Sequence, residues 1–311
     1  MPRNICLLVV AGLLAAAAPI RVEDAYTIKT KRDGKGDVVT KDEQKTETSH
    51  FKVEGPDGKL LKNEKKEQTT MMTYKETIVE KEKGKKATKL RRAYTKAFVK
   101  TIEGDKTTET TLPYQGKTIL IEKKDGKYHF SIEGGEELTG EDAELLDKSF
   151  NKEGDDSDDE EIEKALFPKK PVRVGESWKL DAVSLWKSFE KGTRSPFPLD
   201  KAKASGTGKL RKAYKKNGAQ FGVLDFSVTM PIKGQFPLGK NDTAAIQDGS
   251  KMKVHIEVDT CIDGTLSDGA GDITTDIAFT AVFKGPGGKD YKMMVSGTHK
   301  EKSTEKDLSK E

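Results

Sequence analysis

Cysteine is almost missing from this chain: Cys6 and Cys261 are the only two in 311 residues. Cys6 falls inside an apolar N-terminal run, so the rest of the sequence holds one cysteine and cannot build an intramolecular disulfide framework. No His or Asn pattern accompanies Cys261, which therefore reads as a thiol at the end of a strand rather than a nucleophile. Histidine is scarce as well. His50, His129, His255 and His299 form no ligand-spaced pair and no H-E-x-x-H motif. His129 and His255 alternate with core-type residues, which places them on the outer faces of strands. The sequence contains no G-x-S-x-G elbow, no P-loop and no G-x-G-x-x-G opening a helix. "GPGGKD" at 285–290 shares only glycine content with a phosphate-binding loop and reads as a hairpin turn. Aromatics make up 7% of residues, with only Trp178 and Trp186 as tryptophans, too few for a cleft that stacks sugars between paired carboxylates. An excess of one charge sign is also lacking. The 56 basic and 52 acidic residues leave a net charge of +4, and lysine outnumbers arginine, which argues against a dedicated nucleic-acid surface.

What the sequence does have is charge of both signs. Charged residues are 35% and hydrophobic residues 33%, against roughly a quarter and nearly half (the latter counting glycine) in ordinary soluble domains. The core must then be thin and sheet-like. At the N-terminus, "MPRNICLLVVAGLLAAAAP" combines Arg3, an apolar run from Ile5 to Ala18 and a small-residue stretch. This is the pattern of a secretory signal peptide, assigned to residues 1–24 with cleavage between Ala17 and Ala25, before Tyr26. The run is shorter than the about 20 residues a membrane span requires, and Cys6 does not end a lipobox, so no transmembrane or lipid anchor is expected in the mature chain. The expected location is periplasmic or secreted.

Beyond the leader, the dominant period is two. "MKVHIEVDTCI" puts Met252, Val254, Ile256 and Val258 on one face, and "GVLDFSVTM" does the same with Leu224, Phe226, Val228 and Met230. "DITTDIAFTAVF" aligns Ile273, Ile277, Phe279, Ala281 and Phe283. "KTILIEKKDGKYHFSIEGG" reads as a hairpin turning at Asp125-Gly126, and Asn217-Gly218 marks another. From Tyr26 to about Ile102 the Thr/Lys/Glu-rich sequence predicts long twisted hairpin strands with charged outer faces. Two helices stand out. "LTGEDAELLDKSF" has Thr139 at the N-cap with Asp142 in the capping-box position, and "LDAVSLWKSFEKG" has Asp181 at the N-cap with Gly192 beyond its end.

Between these helices, eight acidic side chains fall from Glu153 to Glu163. Neither this run nor the aspartates at 259, 263, 268, 272 and 276 has the spacing of a calcium loop. The run is expected to be an extended, solvated linker over 152–164, separating an N-terminal β-rich half (25–151) from a C-terminal one (165–311). After it, "ALFPKKPVRVGESWKL" has Pro168 and Pro171 enforcing an extended path that returns to the core at Trp178. The segments "FPKKPVRVGESW" and "DGKYHFSIEGGEELTGEDAELL" resemble an uncharacterised family of exported bacterial proteins of unknown function. That resemblance implies export and a β-rich fold and assigns no catalytic residue.

The expected architecture is mainly β (α+β): a large antiparallel sheet curved like a half-barrel with two short helices across it, or alternatively two consecutive antiparallel modules. No catalytic, metal or cofactor constellation emerges, so a non-enzymatic binding or envelope protein of unknown partner is the leading expectation. The alternative is a carrier of an apolar ligand such as a lipid or an acyl chain, resembling periplasmic lipoprotein carriers. Its pocket, or else an ordinary core, would use Trp178, Trp186, Phe226, Met252, Val254, Ile256 and Phe279. A hydrolase ranks last, for want of a nucleophile, base pair or metal cluster.

Overall fold

Alternation of apolar and polar residues along nearly the whole chain is realised as strand after strand. The computed structural model describes residues 24–31, 34–82, 85–151, 159–192, 198–239 and 242–309. In chain order the strands are β1 (Ala25–Tyr26), β2 (Val38–Glu54), β3 (Leu60–Lys81), β4 (Ala87–Glu103), β5 (Lys106–Thr111), β6 (Thr118–Lys124), β7 (Lys127–Ile132) and β8 (Glu137–Leu138). Helices α1 (Glu144–Phe150) and α2 (Asp159–Leu166) follow, then β9 (Val172–Arg173), β10 (Ser177–Lys179) and α3 (Ala182–Gly192). The chain finishes with β11 (Ser205–Lys216), β12 (Ala219–Pro231), β13 (Gln235–Pro237), β14 (Thr243–Ile246), β15 (Lys251–Cys261), β16 (Gly269–Lys284) and β17 (Asp290–Asp307).

Fifteen strands form one antiparallel sheet, ordered β10-β11-β12-β15-β16-β17-β2-β3-β4-β6-β7-β8 with β5, β13 and β14 attached. It is open rather than closed into a barrel, because β10 and β8 end the order without pairing to each other. The two halves of the chain meet where β17 pairs with β2 over sixteen residue pairs from Lys292↔Glu54 to Asp307↔Val39. They therefore share one sheet instead of forming separate modules. The predicted type I′ turns are present, with positive φ at Asp125 and Gly126 and at Asn217 and Gly218. "GPGGKD" is the connection between β16 and β17.

Register decides what each face of the sheet carries. One row of paired residues runs Phe226, Ile256, Ile273, Glu301, Lys45, Thr70, Val99 across β12, β15, β16, β17, β2, β3 and β4. This face is apolar at both ends and charged in the middle. One apolar end packs against α2 and α3, the other against Leu146 of α1. All three helices thus lie on the same face, at its two ends. The opposite face, along the row Lys209, Asp225, Glu257, Asp272, Lys302, Gln44, is polar from β11 to β2 and becomes apolar where the row continues to Met71 of β3 and Phe98 of β4. The strands bridging the two cores have water-loving side chains on both faces, which explains a composition with so much charge and so little apolar bulk.

Helix ends depart from expectation in two places. Thr139 makes no side-chain cap bond. It precedes a 3-10 turn at Gly140–Asp142, and α1 begins after Ala143, whose carbonyl accepts from Asp147 N–H at 2.8 Å. The positive φ of Gly140 turns the chain before Asp142 can close a capping box. Asp181 does cap α3, accepting from Ser184 N–H at 3.0 Å and Ser184 Oγ–H at 2.8 Å, while the helix extends through Gly192 rather than stopping before it.

The acidic run is also corrected. Residues 152–158 lie outside the described residues, but Asp159–Leu166 is a helix, not an extended linker. Ile162, Ala165 and Leu166 fall at i, i+3 and i+4 and pack on the core, with Ala165 buried. Glu161 then sits in its first turn, where an acid complements the helix dipole. Residues 1–23 of the signal-peptide assignment, made for 1–24, lie outside the described ones. Immediately after them Ala25 and Tyr26 pair with Arg173 and Val172, and Ile28 is buried.

In the charged middle of the helix-bearing face, His299 on β17 lies between Glu47 of β2, at 3.3 Å, and Glu301, at 3.7 Å. Hydrogen bonding to Glu301, then to Glu47, pushes its imidazole up to about 9. A folded value above the unfolded one means the stabilisation is complete below about pH 6.5 and is lost as pH rises through about 9. Replacing His299 with Gln should therefore flatten the stability–pH curve between about 6.5 and 9, by no more than about 1 kcal/mol because the site is partly solvated. Denaturant melts across that range measure it; an unchanged slope would rule the triad out as the source.

Candidate functional site

At the C-terminal end of the sheet, β11, β12 and β15 build an apolar floor. Leu210, Leu224, Phe226, Val228 and Met230 are buried on it, with Met252, Val254 and Ile256 packed alongside. Glycines in the strands make room for the layer above. A Cβ on Gly206 would lie 3.1 Å from Leu180, and one on Gly208 would lie 2.4 Å from the Trp178 indole. Trp178 sits over Gly208, its cross-strand partner, meets Phe226 edge-on at 6.0 Å, and donates from Nε1 to the Leu166 carbonyl at 2.8 Å. It therefore ties the end of α2 to the floor. Ala182, Leu185 and Trp186 of α3 are buried beside Ala165 of α2, and the two helices roof the floor.

Roof and floor leave a cavity of about 30 Å³, lined by Leu166, Ala182, Leu185, Trp186, Val228, Met230, Val254 and Ile256. The walls present only apolar surface; the indole N–H of Trp186 is itself buried and has no hydrogen-bond partner. Of the residues expected to form an apolar pocket, Trp186, Val254 and Ile256 line the cavity, whereas Phe226, Met252 and Trp178 pack around it. Phe279 does not join them. It lies in a separate cluster with Ile232, Ala244, Ala281 and Met293, because β16 carries it past the end of the β15 pairing toward β14. Val228 and Met230 were legible as same-face neighbours of Phe226. The contribution of Leu166 required recognising α2, whose signal was the Ile162, Ala165, Leu166 spacing.

A second buried constellation sits at the other end of the same face. Arg92 Nε donates to Glu76 Oε2 at 2.5 Å, and Lys41 lies 3.7 Å from Glu76 and 3.2 Å from Glu305. The guanidinium is stacked between the rings of Tyr74 (4.4 Å) and Phe150 (4.7 Å), and Tyr74 Oη–H donates to Glu43 at 2.6 Å. Burial alone would raise the Glu76 carboxyl, but Arg92 and Lys41 outweigh it and hold it below the usual carboxylate range. Burial pushes the Tyr74 and Tyr94 phenols up. The carboxylate is thus held ionised and the phenols neutral, the pattern of a structural ion pair rather than of an acid and base poised near neutrality. Nothing in the sequence revealed it, since Glu76 and Arg92 meet only through the β3–β4 register.

On the polar face, register brings Asp225, His255 and Glu257 within 4.8 Å of one another, a donor set that sequence spacing did not show. Arg211 lies between the two carboxylates, in contact with Glu257 and 3.7 Å from Asp225. Its guanidinium supplies the positive charge that two directly opposed carboxylates demand. Cys261 is buried with Ala219 and Phe221, and its thiol donates to Asp263 at 3.0 Å. Cys261→Ser keeps that donor and should change stability by less than about 1.5 kcal/mol, as a thermal melt would show. A larger loss would mean the sulfur is needed for more than packing.

Among the described residues, no helix is long and apolar enough to cross a membrane. No family model matches this chain, and no curated protein does. Among solved structures, the outer membrane protein OprG from Pseudomonas aeruginosa is similar at 11% identity over 89% of this chain and 99% of that one, with a TM-score of 0.22. OccK2 (OpdF) from Pseudomonas aeruginosa is similar at 7% identity over 86% of this chain and 98% of that one, with a TM-score of 0.20.

Proposed function

We propose that this chain is an exported, non-catalytic binding protein that holds an apolar ligand between the β11–β12–β15 floor and the α2–α3 roof. The observation that carries the reading is the apolar-walled cavity where roof and floor meet. A sheet end closed by two short helices, rather than by a second sheet, can be opened by moving the helices alone. The cavity of about 30 Å³ is far below the roughly 300–1,000 Å³ of a ligand pocket, so binding requires the helix pair to lift. Export is supported by Arg3 and the apolar run that follows it, and resemblance of "FPKKPVRVGESW" to exported bacterial proteins points the same way.

Native mass spectrometry of protein purified from its own envelope tests the proposal. A co-purifying apolar mass in one-to-one ratio is the expected result. Protein that carries none, and that fails to take up a long-chain probe after delipidation, would overturn it. The small volume of the cavity favours a second reading, in which the helices merely complete the core and any partner is met by the polar face of the sheet. That reading predicts the ligand-free mass alone.

A further inference from the structure

Strand register on the polar face brings together three donors that could hold one ion. Asp225 of β12 and Glu257 of β15 are directly opposed, and His255 stands two residues before Glu257 on the same face. One ligand atom from each lies within 4.8 Å of the other two. Carboxylates that face each other repel unless a cation lies between them. Arg211 fills that role off centre: it contacts Glu257 but stays 3.7 Å from Asp225. Among the described residues, Asp225 accepts no hydrogen bond, although its side chain is only 25% exposed. Its Oδ1 lies 3.7 Å from His255 Nδ1, beyond hydrogen-bond reach, and the Ser227 hydroxyl comes no closer than 3.4 Å to that nitrogen. Two atoms bound to one ion at about 2.0–2.2 Å stand roughly 3–4 Å apart, and the Asp225–His255 spacing falls in that range.

We propose that Asp225, His255 and Glu257 bind a divalent ion of the zinc class, which displaces the Arg211 guanidinium from between the carboxylates. The site is independent of the apolar cavity. Its donors decide the ion: imidazole suits zinc and its neighbours in the first transition row, whereas calcium takes about six to eight oxygens. Nearby acids are engaged elsewhere, since Asp259 accepts from Tyr214 Oη at 2.6 Å and Asp272 lies 3.3 Å from Lys302. Three protein ligands leave a further position for water or for an incoming ligand atom. Glu257 is also a wall of an open groove of about 440 Å³ on this face, so the site is reached from solvent. Arg211 is free to withdraw. The bulge between Leu210 and Lys212 drops it from the β11–β12 register, and its side chain is 51% exposed.

Isothermal titration of the full-length protein with zinc, calcium and magnesium chlorides tests the site. Zinc should bind one to one, with calcium and magnesium at least about tenfold weaker. His255→Gln should weaken zinc at least about tenfold through loss of the nitrogen ligand. The thermal melt of that variant should stay in place, because the ring is at the surface. Arg211→Gln should tighten zinc about two- to fivefold, the weight of one exposed ion pair. Cobalt(II) reports the ligand set directly: its visible absorption should change with wild type and with Arg211→Gln, and not with His255→Gln. Absence of zinc binding in both wild type and Arg211→Gln would overturn the site. Zinc affinity unaltered by His255→Gln would put the ion elsewhere and overturn it equally. Calcium binding tighter than zinc would overturn the ion class, and weaker zinc binding by Arg211→Gln would overturn the displacement of the guanidinium.

Discussion

Replacing Arg92 with Met is expected to cost about 3–5 kcal/mol of unfolding free energy, the range for breaking one side of a buried ion pair. The pair is buried on the helix-bearing face, where Glu76 is only 6% exposed and Arg92 is its closest cation. Lys41, at 3.7 Å, cannot replace the hydrogen-bonded guanidinium. Loss of Arg92 also removes the layer between Tyr74 and Phe150, which connects β3 and β4 to α1. Adding Glu76→Gln to Arg92→Met should recover part of the loss by removing the stranded charge, so the double variant should be more stable than the single one. The acid limb gives an independent check. The Glu76 carboxyl is depressed in the folded state, so its stabilisation is present above the ordinary carboxylate value of 4.5 and is lost as pH falls through the lower folded value. Urea denaturation of the variants at neutral pH, and of Glu76→Gln down through pH 4, measures both. A loss below about 1 kcal/mol for Arg92→Met would place the pair among weak surface bridges.

The Trp178–Gly208 contact should be nearly as costly to disturb. Trp178→Ala should lower stability by about 3 kcal/mol, at the low end for a large aromatic because the ring is only half-buried. Gly208→Ala should cost about 1–3 kcal/mol, since its Cβ would arrive 2.4 Å from the indole and force it off Phe226 and the Leu166 carbonyl. The discriminating variant is the pair. With the indole gone, Ala at 208 meets no ring, and alanine is the better strand residue, so the cost of Gly208→Ala should vanish in the Trp178→Ala background. Chemical denaturation of the four proteins gives the cycle. Additive effects would show that Gly208 is needed for its backbone rather than for the space above it.

Local chemistry explains which features could be read in advance. The alternation in "MKVHIEVDTCI" and "GVLDFSVTM" predicts β15 and β12 and places Val254, Ile256 and Phe226 on one face, because side-chain direction along a strand depends only on parity. Asp125-Gly126 and Asn217-Gly218 specify their hairpins because type I′ turns need positive φ at both positions. Asp181 is legible as a cap because its bonds reach only to Ser184. The acidic run was harder to read: repulsion among its charges suggested an extended chain. At its end, the apolar stripe of Ile162, Ala165 and Leu166 prevails.

The sequence alone determined an antiparallel β protein with a thin core, little chance of disulfides, and strand faces assigned by parity. Only the tertiary structure decided that both halves join through β17 and β2 into one open sheet, that all three helices occupy one face, and that Phe279 belongs to a different cluster from Ile256. It alone brought Arg92 to Glu76, and Asp225 to His255 and Glu257. Parity is a property of one strand, whereas partner and register are properties of two. A strand's own residues show which side is apolar, but the residue lying opposite is chosen by pairing across the sheet.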